Sequence, residues 1–285
     1  MAHIEKKAVS YLSYRRFYTN SYYTFQMGLQ LGKFIGIDFA IQFLGWALSV
    51  KFRTERHFDL TGSLTFILLT YLSRNKRRST LRQNIQSSCV FFWALRLGAF
   101  LFYRILKVGK DSRFDRMRNN PTRLLITWML QGIWVLITLL PTLYLNQKQV
   151  DKPLRKTDYI GWSLWLFGFI FETIADTQKM SFKNNLNNKN TFIETGLWKY
   201  SRHPNYFGEM CAWFGLYISS SHMLVGYERF FGVLSPIFVT LLISFLSGIP
   251  ILERQAMKLF ASNPAYQAYR NRTPILIPFL NFPRI

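Results

Sequence analysis

The residues best suited to carry chemistry in this chain are crowded into one short segment, TGLWKYSRHPNYFGEMCAW at 195–213. Its polar side chains lead into an apolar run, and they are Lys199, Tyr200, Ser201, Arg202, His203, Asn205, Tyr206 and Glu209. Gly196 and Pro204 favour turns, so the segment is predicted to be an irregular loop that leads into a helix. Asn205 stands where it could cap that helix. Irregular polar backbone beside a membrane-length apolar run needs protein or water around it, which predicts a binding site.

A cationic group at the end of an earlier apolar run suits a phosphate or pyrophosphate. Arg96 and Arg104 fall on the same half of one predicted helix, and the run continues through Lys107, Lys110 and Arg113. Guanidinium groups offer forked donors to phosphate oxygens. The competing interpretation is that these long side chains only reach towards lipid headgroups.

A pair of carboxylates, Glu172 and Asp176, lies one helical turn apart near the end of another apolar run, with Lys183 beyond it. A carboxylate there could accept hydrogen bonds from a ribose or an amide, or could pair with a neighbouring cation. His203 has no second His or Cys at metal-ligand spacing, so no zinc or iron site is predicted. The sequence also lacks the GxxxxGK and GxGxxG patterns of soluble nucleotide-binding folds.

The elements that must position these residues are membrane helices. With 49% hydrophobic and only 18% charged side chains, the chain is too apolar for a soluble domain of 285 residues. Apolar runs alternate with short basic connectors, and most runs approach the roughly 20 residues that a membrane-spanning helix requires. The predicted fold is all-α, a polytopic membrane bundle of about seven transmembrane helices. Their expected positions are 28–50, 59–73, 87–106, 122–145, 159–175, 206–225 and 231–251.

The predicted organisation is a basic N-terminal segment at 1–27 and a single membrane domain at 28–285, with the cofactor pocket in the half from about 93 to 285. The formal charge of +22 comes from Lys and Arg dispersed over nearly every connector. That dispersion favours anionic lipid headgroups and a phosphate-bearing ligand as partners over nucleic acid. The expected location is the endoplasmic reticulum or another intracellular membrane, with a mitochondrial membrane as the alternative.

Several strings along the chain together resemble the steroid 5-alpha-reductase-like family of membrane oxidoreductases, in its broad branch. They are FDLTGSLTF at 58–66, WALRLGAFLFYRILKVGKDSRFD at 93–115, QGIWV at 131–135, ETIADTQK at 172–179, GLWKYSRHPNYFGE at 196–209 and SGIPILE at 247–253. The shorter string RHPNY is also similar to a motif of isoprenylcysteine carboxyl methyltransferases and phospholipid methyltransferases. That second likeness is the more distant one.

The reductase resemblance implies an enzyme that uses NADPH to reduce a polarised carbon–carbon double bond in a lipid or steroid-like substrate. It assigns the cofactor contacts to Lys110, Arg113, Asp176, Lys183, Tyr200, Arg202, His203 and Asn205. The catalytic candidates are Tyr206, Asp59 and Glu209, with Tyr206 or Asp59 as the proton donor. Arg96 stands where the steroid reductases carry a tyrosine proton donor, and only Asp59 corresponds loosely to their substrate-side glutamate. NADPH is preferred over NADH because the surplus of Arg and Lys suits an extra phosphate.

Two other functions stay open at this point. In the first, the chain is a methyltransferase that holds S-adenosylmethionine with RHPNY and Glu253 and methylates a lipid amine or carboxylate. In the second, it is a non-catalytic subunit of a membrane assembly, which the missing tyrosine donor would permit. The ADTQK and GKDSRF segments favour the reductase.

Overall fold

The computed structural model describes residues 2–75, 79–115 and 117–280, with side chains from residue 26 onward except at 112. This part of the chain consists of helices and their connections and contains no strand, so the predicted all-helical fold is confirmed. The helices are α1 (Ala2–Phe52), α2 (Phe58–Ser73), α3 (Leu81–Val108), α4 (Pro121–Asn146), α5 (Lys156–Asn184), α6 (Pro204–Ser221), α7 (Tyr227–Leu241), α8 (Ile249–Phe260) and α9 (Pro264–Arg272). Short 3-10 turns lie at Ser112–Phe114, Leu186–Asn188 and Gly196–Lys199, and a π-helical turn at Leu242–Leu246 joins α7 to α8.

Among the described residues, four helical stretches are long and apolar enough to cross a membrane, and the protein is a membrane protein as predicted. They are Gln26–Phe52, Leu81–Val108, Pro121–Asn146 and Tyr227–Phe260. α2 coincides with the predicted run at 59–73, but its 16 residues fall short of the roughly 20 that a full crossing needs. α5 and α6 coincide with the runs at 159–175 and 206–225, and α5 is less apolar because it carries buried carboxylates. Crossing by these three helices, and hence a total of about seven, stays a prediction.

The chain divides into two compact units. The first comprises Met1–Asn75 with Ala94–Leu136, and the second comprises Lys76–Trp93 with Ile137–Ile285. α3 contributes to both units because the division falls after Trp93. The N-terminal segment predicted at 1–27 is continuous with the first span, since α1 runs through residue 27 without a break. The prediction of a single membrane domain at 28–285 stays a prediction.

Aromatic rings form the core of the first unit around Trp128, which is fully buried. Phe114 and Leu124 are buried with it. The Phe58 ring meets both Phe114 and Trp128 edge-on, with centroids 4.9 Å apart in each pair. These contacts hold the start of α2 against α4, because edge-on aromatic pairs add to the free energy of burial.

A chain of buried polar side chains links α1 to α4 in the same unit. Gln42 Nε2 donates to Asp38 Oδ1 at 2.8 Å, and Gln131 Nε2 donates to Gln42 Oε1 at 3.0 Å. Asp38 and Gln42 are fully buried. Because polar groups within a membrane span are costly unless they face protein or water, these residues determine which face of α1 meets α4.

In the second unit, α5 and α6 pack so closely that their backbones touch. A Cβ atom on Gly215 would lie 2.5 Å from the carbonyl oxygen of Gly161, and one on Gly208 would lie 2.6 Å from the backbone nitrogen of Glu172. Small residues at such contacts are typical of helix pairs in membranes. The packing brings the second half of α5 beside the start of α6, where the predicted site residues lie.

We expect Gly208→Ala to lower the melting temperature of the detergent-solubilised protein, because the added methyl group meets backbone rather than a movable side chain. Overpacking of this kind costs about 1–3 kcal/mol. Gly36→Ala is the matched control, since a Cβ at Gly36 meets nothing within 4 Å. Equal melting temperatures for the two variants would contradict the close approach of α6 to α5.

The first turn of α5 is fixed to α3 by Arg82, whose side chain is fully buried. Arg82 Nε donates to Asp158 Oδ1 at 2.6 Å and Nη2 donates to Asp158 Oδ2 at 3.1 Å, while Nη1 binds Asp151. Nη2 also lies 3.1 Å from the carbonyl oxygen of Lys152 and 3.3 Å from that of Pro153. A single guanidinium therefore bonds two carboxylates and two carbonyl groups of the connector that precedes α5.

Candidate functional site

The loop before α6 is fixed to α5 and α9 by hydrogen bonds. The Leu197 backbone N–H donates to Gln178 Oε1 at 2.9 Å, and the Trp198 indole N–H donates to the carbonyl of Ala175 at 3.0 Å. The Tyr269 hydroxyl donates to the Trp198 carbonyl at 2.8 Å. The segment that the sequence predicts as an irregular loop is therefore held in one position by the helices around it.

The chain that follows α9 folds back onto the same loop. The Arg202 backbone N–H donates to the carbonyl of Pro274 at 2.9 Å, and the Ser201 hydroxyl donates to the carbonyl of Leu276 at 2.7 Å. These bonds use the polar backbone just ahead of α6, which a buried loop must satisfy. The side chains of Arg202 and His203 are then available for contacts with other helices.

Glu253 in α8 is the meeting point of those side chains. Arg202 Nη1 donates to Glu253 Oε2 at 2.8 Å, and His203 Nε2 lies 2.9 Å from Glu253 Oε1. Arg270 Nε lies 3.8 Å from Glu253 Oε2. Arg202 and His203 are only 8% and 4% exposed. We call Arg202, His203, Glu253 and Arg270 the Glu253 cluster, and it carries two guanidiniums for one carboxylate.

His203 contacts Glu253 through one ring nitrogen, and its other ring nitrogen is buried without a hydrogen-bond partner among the described residues. Burial lowers the pKa of His203 below its usual value, despite the hydrogen bond to Glu253, which acts in the opposite direction. Since a carboxylate can only accept, Nε2 carries the hydrogen and Nδ1 is left as an acceptor. Nδ1 is buried and has no hydrogen-bond partner in the part of the chain that the structure describes. The His203 ring also stacks on Tyr206, with centroids 5.7 Å apart and planes inclined by 16°.

Asn205 presents a second acceptor of the same kind. Its Nδ2 donates to Asp176 Oδ1 at 3.1 Å, whereas its Oδ1 is buried and has no partner among the described residues. The interpretation of Asn205 as the cap of α6 is wrong, because Pro204 begins the helix and the capping position falls on His203. Asn205 therefore lies within the first turn and bonds to α5.

The remaining predicted site residues of the second unit differ in how far they are buried. Tyr206 and Glu209 are half-buried and one turn apart in α6. Tyr200 is 41% exposed, and its ring centroid lies 5.0 Å from that of Phe279. Lys183 is exposed in the last turn of α5. Hydrogen bonds thus involve four of the predicted residues: Arg202 and His203 bond Glu253 in α8, and Asn205 bonds Asp176 in α5.

Residues 45–273, about four fifths of the chain, match the family described as Protein of unknown function (DUF1295). The chain belongs to this family. DUF1295 is related to the steroid 5-alpha-reductase-like proteins, so the resemblance noted in the sequence is confirmed at that level. No curated protein and no solved structure matches the chain. The DUF1295 match includes the whole Glu253 cluster together with Asp176 and Asn205.

The other site candidates of this DUF1295 protein lie in the first unit, where the predicted cations are paired with carboxylates. Arg113 Nη2 lies 2.8 Å from Asp59 Oδ2 and 2.6 Å from Asp111 Oδ2. Arg104 Nη2 is 3.5 Å from Asp59. Burial acts to lower the pKa of Arg113, but the two carboxylates outweigh it and the pKa is raised. Lys110 has an exposed side chain at the surface of this unit.

Sequence reasoning missed part of the DUF1295 site. It gave Glu253 a role only in the methyltransferase alternative, and it gave none to Gln178 or Tyr269. Gln178 and Glu253 do lie in two of the strings that carried the resemblance, ETIADTQK and SGIPILE, which was the available signal. Across the described residues, no group of His, Cys, Asp and Glu side chains could hold a metal ion.

Proposed function

We propose that this DUF1295 protein is an NADPH-dependent membrane reductase that saturates a polarised carbon–carbon double bond in a lipid or steroid-like substrate. The observation that carries the proposal is the pair of buried acceptors, His203 Nδ1 and Asn205 Oδ1, on either side of Pro204 and next to the cations of the Glu253 cluster. The relation of DUF1295 to steroid 5-alpha-reductase-like proteins supports the same class of reaction.

The residues present fit a dinucleotide. A buried acceptor without a donor costs about 1–3 kcal/mol, which a ligand offering a ribose hydroxyl or a carboxamide N–H at that atom would recover. The two guanidiniums of the Glu253 cluster exceed its single carboxylate, and forked guanidinium donors suit phosphate oxygens. Arg202, His203 and Asn205 would hold the nucleotide, and Asp176 would keep the Asn205 amide in place.

In the proposed reaction, NADPH supplies a hydride to the electron-poor carbon of the double bond. The protein's own part is to orient the reactants and to donate a proton to the neighbouring carbon. Tyr206 is the favoured donor, because it stacks on His203, whereas Asp59 already bonds Arg113 and Arg104. A hydroxyl beside a substrate oxygen would also stabilise the negative charge that develops there. Glu209 follows Tyr206 by one turn on the same helix.

The test is NADPH binding to the purified, detergent-solubilised protein, measured by titration of nucleotide fluorescence. We expect saturable binding that Arg202→Ala and Asn205→Ala each weaken by about tenfold or more, since each removes a charged or polar contact worth about 1.5 kcal/mol. Lys258→Ala is the control, because Lys258 is an exposed cation on α8. A protein that shows no saturable binding, or variants that bind like the control, would rule out this site.

An S-adenosylmethionine-dependent methyltransferase is the second candidate, and the contacts of Glu253 with Arg202 and His203 favour it. That alternative requires the RHPNY segment and Glu253 to hold one cofactor together, and they lie within 2.9 Å of each other. The surplus of cations argues against it, because the sulfonium cofactor carries no phosphate and is itself cationic at sulfur. Incorporation of a tritiated methyl group into lipid, compared with oxidation of NADPH, separates the two reactions.

A further inference from the structure

A cavity of about 390 Å³, which is open to solvent, lies at the opposite end of α5 and α6 from the Glu253 cluster. It is lined by Arg155, Thr157, Tyr217, Ser221, His222 and Arg229. Along α5, Thr157 and Asp176 are separated by roughly 30 Å at a rise of 1.5 Å per residue. The cavity is therefore distinct from the candidate site, and its volume is within the range of small-ligand pockets.

The lining of this cavity carries two arginines and no carboxylate among the described residues. None of its described lining residues is acidic, and Arg155 and Arg229 form no salt bridge with any described residue. The nearest carboxylates along the chain, Asp158 and Glu228, form ion pairs with other residues. Asp158 binds the buried Arg82 at 2.6 Å, and Glu228 binds Lys148 at 2.5 Å.

Donors and a fixed geometry accompany these charges. Arg229 Nη2 donates to the Ser221 carbonyl at 3.2 Å, which holds the guanidinium beside the end of α6. His222 Nδ1 is shielded from solvent and has no hydrogen-bond partner among the described residues. Thr157 and Tyr217 add hydroxyl groups to the wall. Two arginines together with the hydroxyl groups of the lining are a set of donors that suits a tetrahedral oxyanion.

The cavity also lies where phosphate groups are concentrated. The apolar stretch Tyr227–Phe260, long enough to cross a membrane, begins two residues before Arg229. Residues at the end of a membrane-spanning helix lie at the depth of the lipid headgroups. A phosphate could therefore reach this cavity either on a phospholipid or as a free solute.

We infer that this cavity is a phosphate-binding site, formed by Arg155 and Arg229 with His222, Thr157 and Tyr217. It takes the phosphate of an anionic phospholipid headgroup or of a water-soluble phosphate compound. The site is independent of the proposed reductase function, since it shares no residue with the Glu253 cluster.

The test uses the full-length protein in detergent, with phosphatidylglycerol in one arm and inorganic phosphate in the other. Native mass spectrometry counts bound lipid, and thermal melts measure stabilisation by inorganic phosphate. We expect the double variant Arg155→Gln with Arg229→Gln to bind the occupying phosphate at least about tenfold more weakly, because it removes two charge-assisted contacts. The control is Lys156→Gln with Lys258→Gln, which removes equal charge from exposed positions outside the cavity.

Each outcome bears on the inference. Lipid adducts lost only from the cavity variant identify a headgroup site, and stabilisation by inorganic phosphate lost only from that variant identifies a site for soluble phosphate. Binding that falls equally in the control reflects overall charge and overturns the inference. Failure of both probes to bind the unaltered protein also overturns it. Both arginines are exposed, so the variants are expected to fold. Thermal melts without ligand check that they do.

Discussion

Replacing Arg82 with alanine is expected to lower the free energy of unfolding of the second unit by about 3–5 kcal/mol, the largest effect of any substitution considered. The change leaves Asp158 buried and ionised without its partner, and it removes the donors that satisfy the carbonyls of Lys152 and Pro153. Asp158 and Arg82 are both fully buried, so water cannot replace the lost bonds cheaply. Chemical denaturation in mild detergent, followed by tryptophan fluorescence, measures the change.

The double variant Arg82→Met with Asp158→Leu separates the loss of a pair from the loss of one partner. Replacing a buried ion pair by apolar side chains is often nearly neutral, so the double variant is expected to recover the part of the stability that Asp158 loses without its partner. It does not restore the donors to Asp151 and to the two carbonyls. Lys152→Ala serves as a surface control, because that side chain is exposed and only its carbonyl is used. Equal stability of Arg82→Ala and this control would mean that the Arg82–Asp158 ion pair is not formed in the folded protein.

Glu253→Ala is expected to cost about 3 kcal/mol and to weaken NADPH binding by at least tenfold. The change removes the common acceptor of Arg202 and His203 and leaves a guanidinium that is only 8% exposed without its carboxylate. Because both side chains project from the loop before α6, their release also misplaces Asn205 and Tyr206. Denaturation and nucleotide titration on the same preparation measure the two effects together.

Arg254→Ala is the matched control for that substitution. Arg254 is the next residue of α8 and is exposed. Within the described residues, its side chain bonds only to the Pro250 carbonyl one turn earlier, at 3.1 Å. It should leave both stability and binding close to those of the unaltered protein. If Glu253→Ala lowers stability but leaves NADPH affinity unchanged, the cluster is structural and the proposed cofactor site is elsewhere.

The helices of this protein could be predicted from the sequence because membrane spans are recognised by run length and apolarity alone. The run at 59–73 became α2 (Phe58–Ser73), and the run at 122–145 became α4 (Pro121–Asn146). The helix start at Pro204 was also predictable, since proline fits the first turn of a helix. The extent of α1 was not, because the aromatic and aliphatic residues of the segment 1–27 are interspersed with polar and basic ones without helical periodicity.

The contacts between side chains of the candidate site were harder to predict from the sequence than the helices. Arg202 and Glu253 are 51 residues apart, and Asn205 and Asp176 are 29 apart, so no local spacing reports their approach. The prediction that Asn205 caps α6 used only neighbouring residues, whereas its side chain bonds Asp176 in α5. Likewise, Arg113 pairs with Asp59, which lies 54 residues away and could not be read from local spacing, and with Asp111. Its contact with a cofactor phosphate stays a prediction.

The buried chain from Asp38 through Gln42 to Gln131 has a consequence for how the protein is made. Gln42 and Gln131 are 89 residues apart, so α1 leaves the ribosome long before its hydrogen-bonding partner on α4 has been synthesised. Until then, α1 carries a carboxylate and an amide that hydrocarbon cannot solvate. We therefore expect α1 to stay beside the insertion machinery, or at the lipid boundary, until α4 has been made. Biogenesis of the first unit is therefore a coupled step, in which the first span is released into lipid together with a later one.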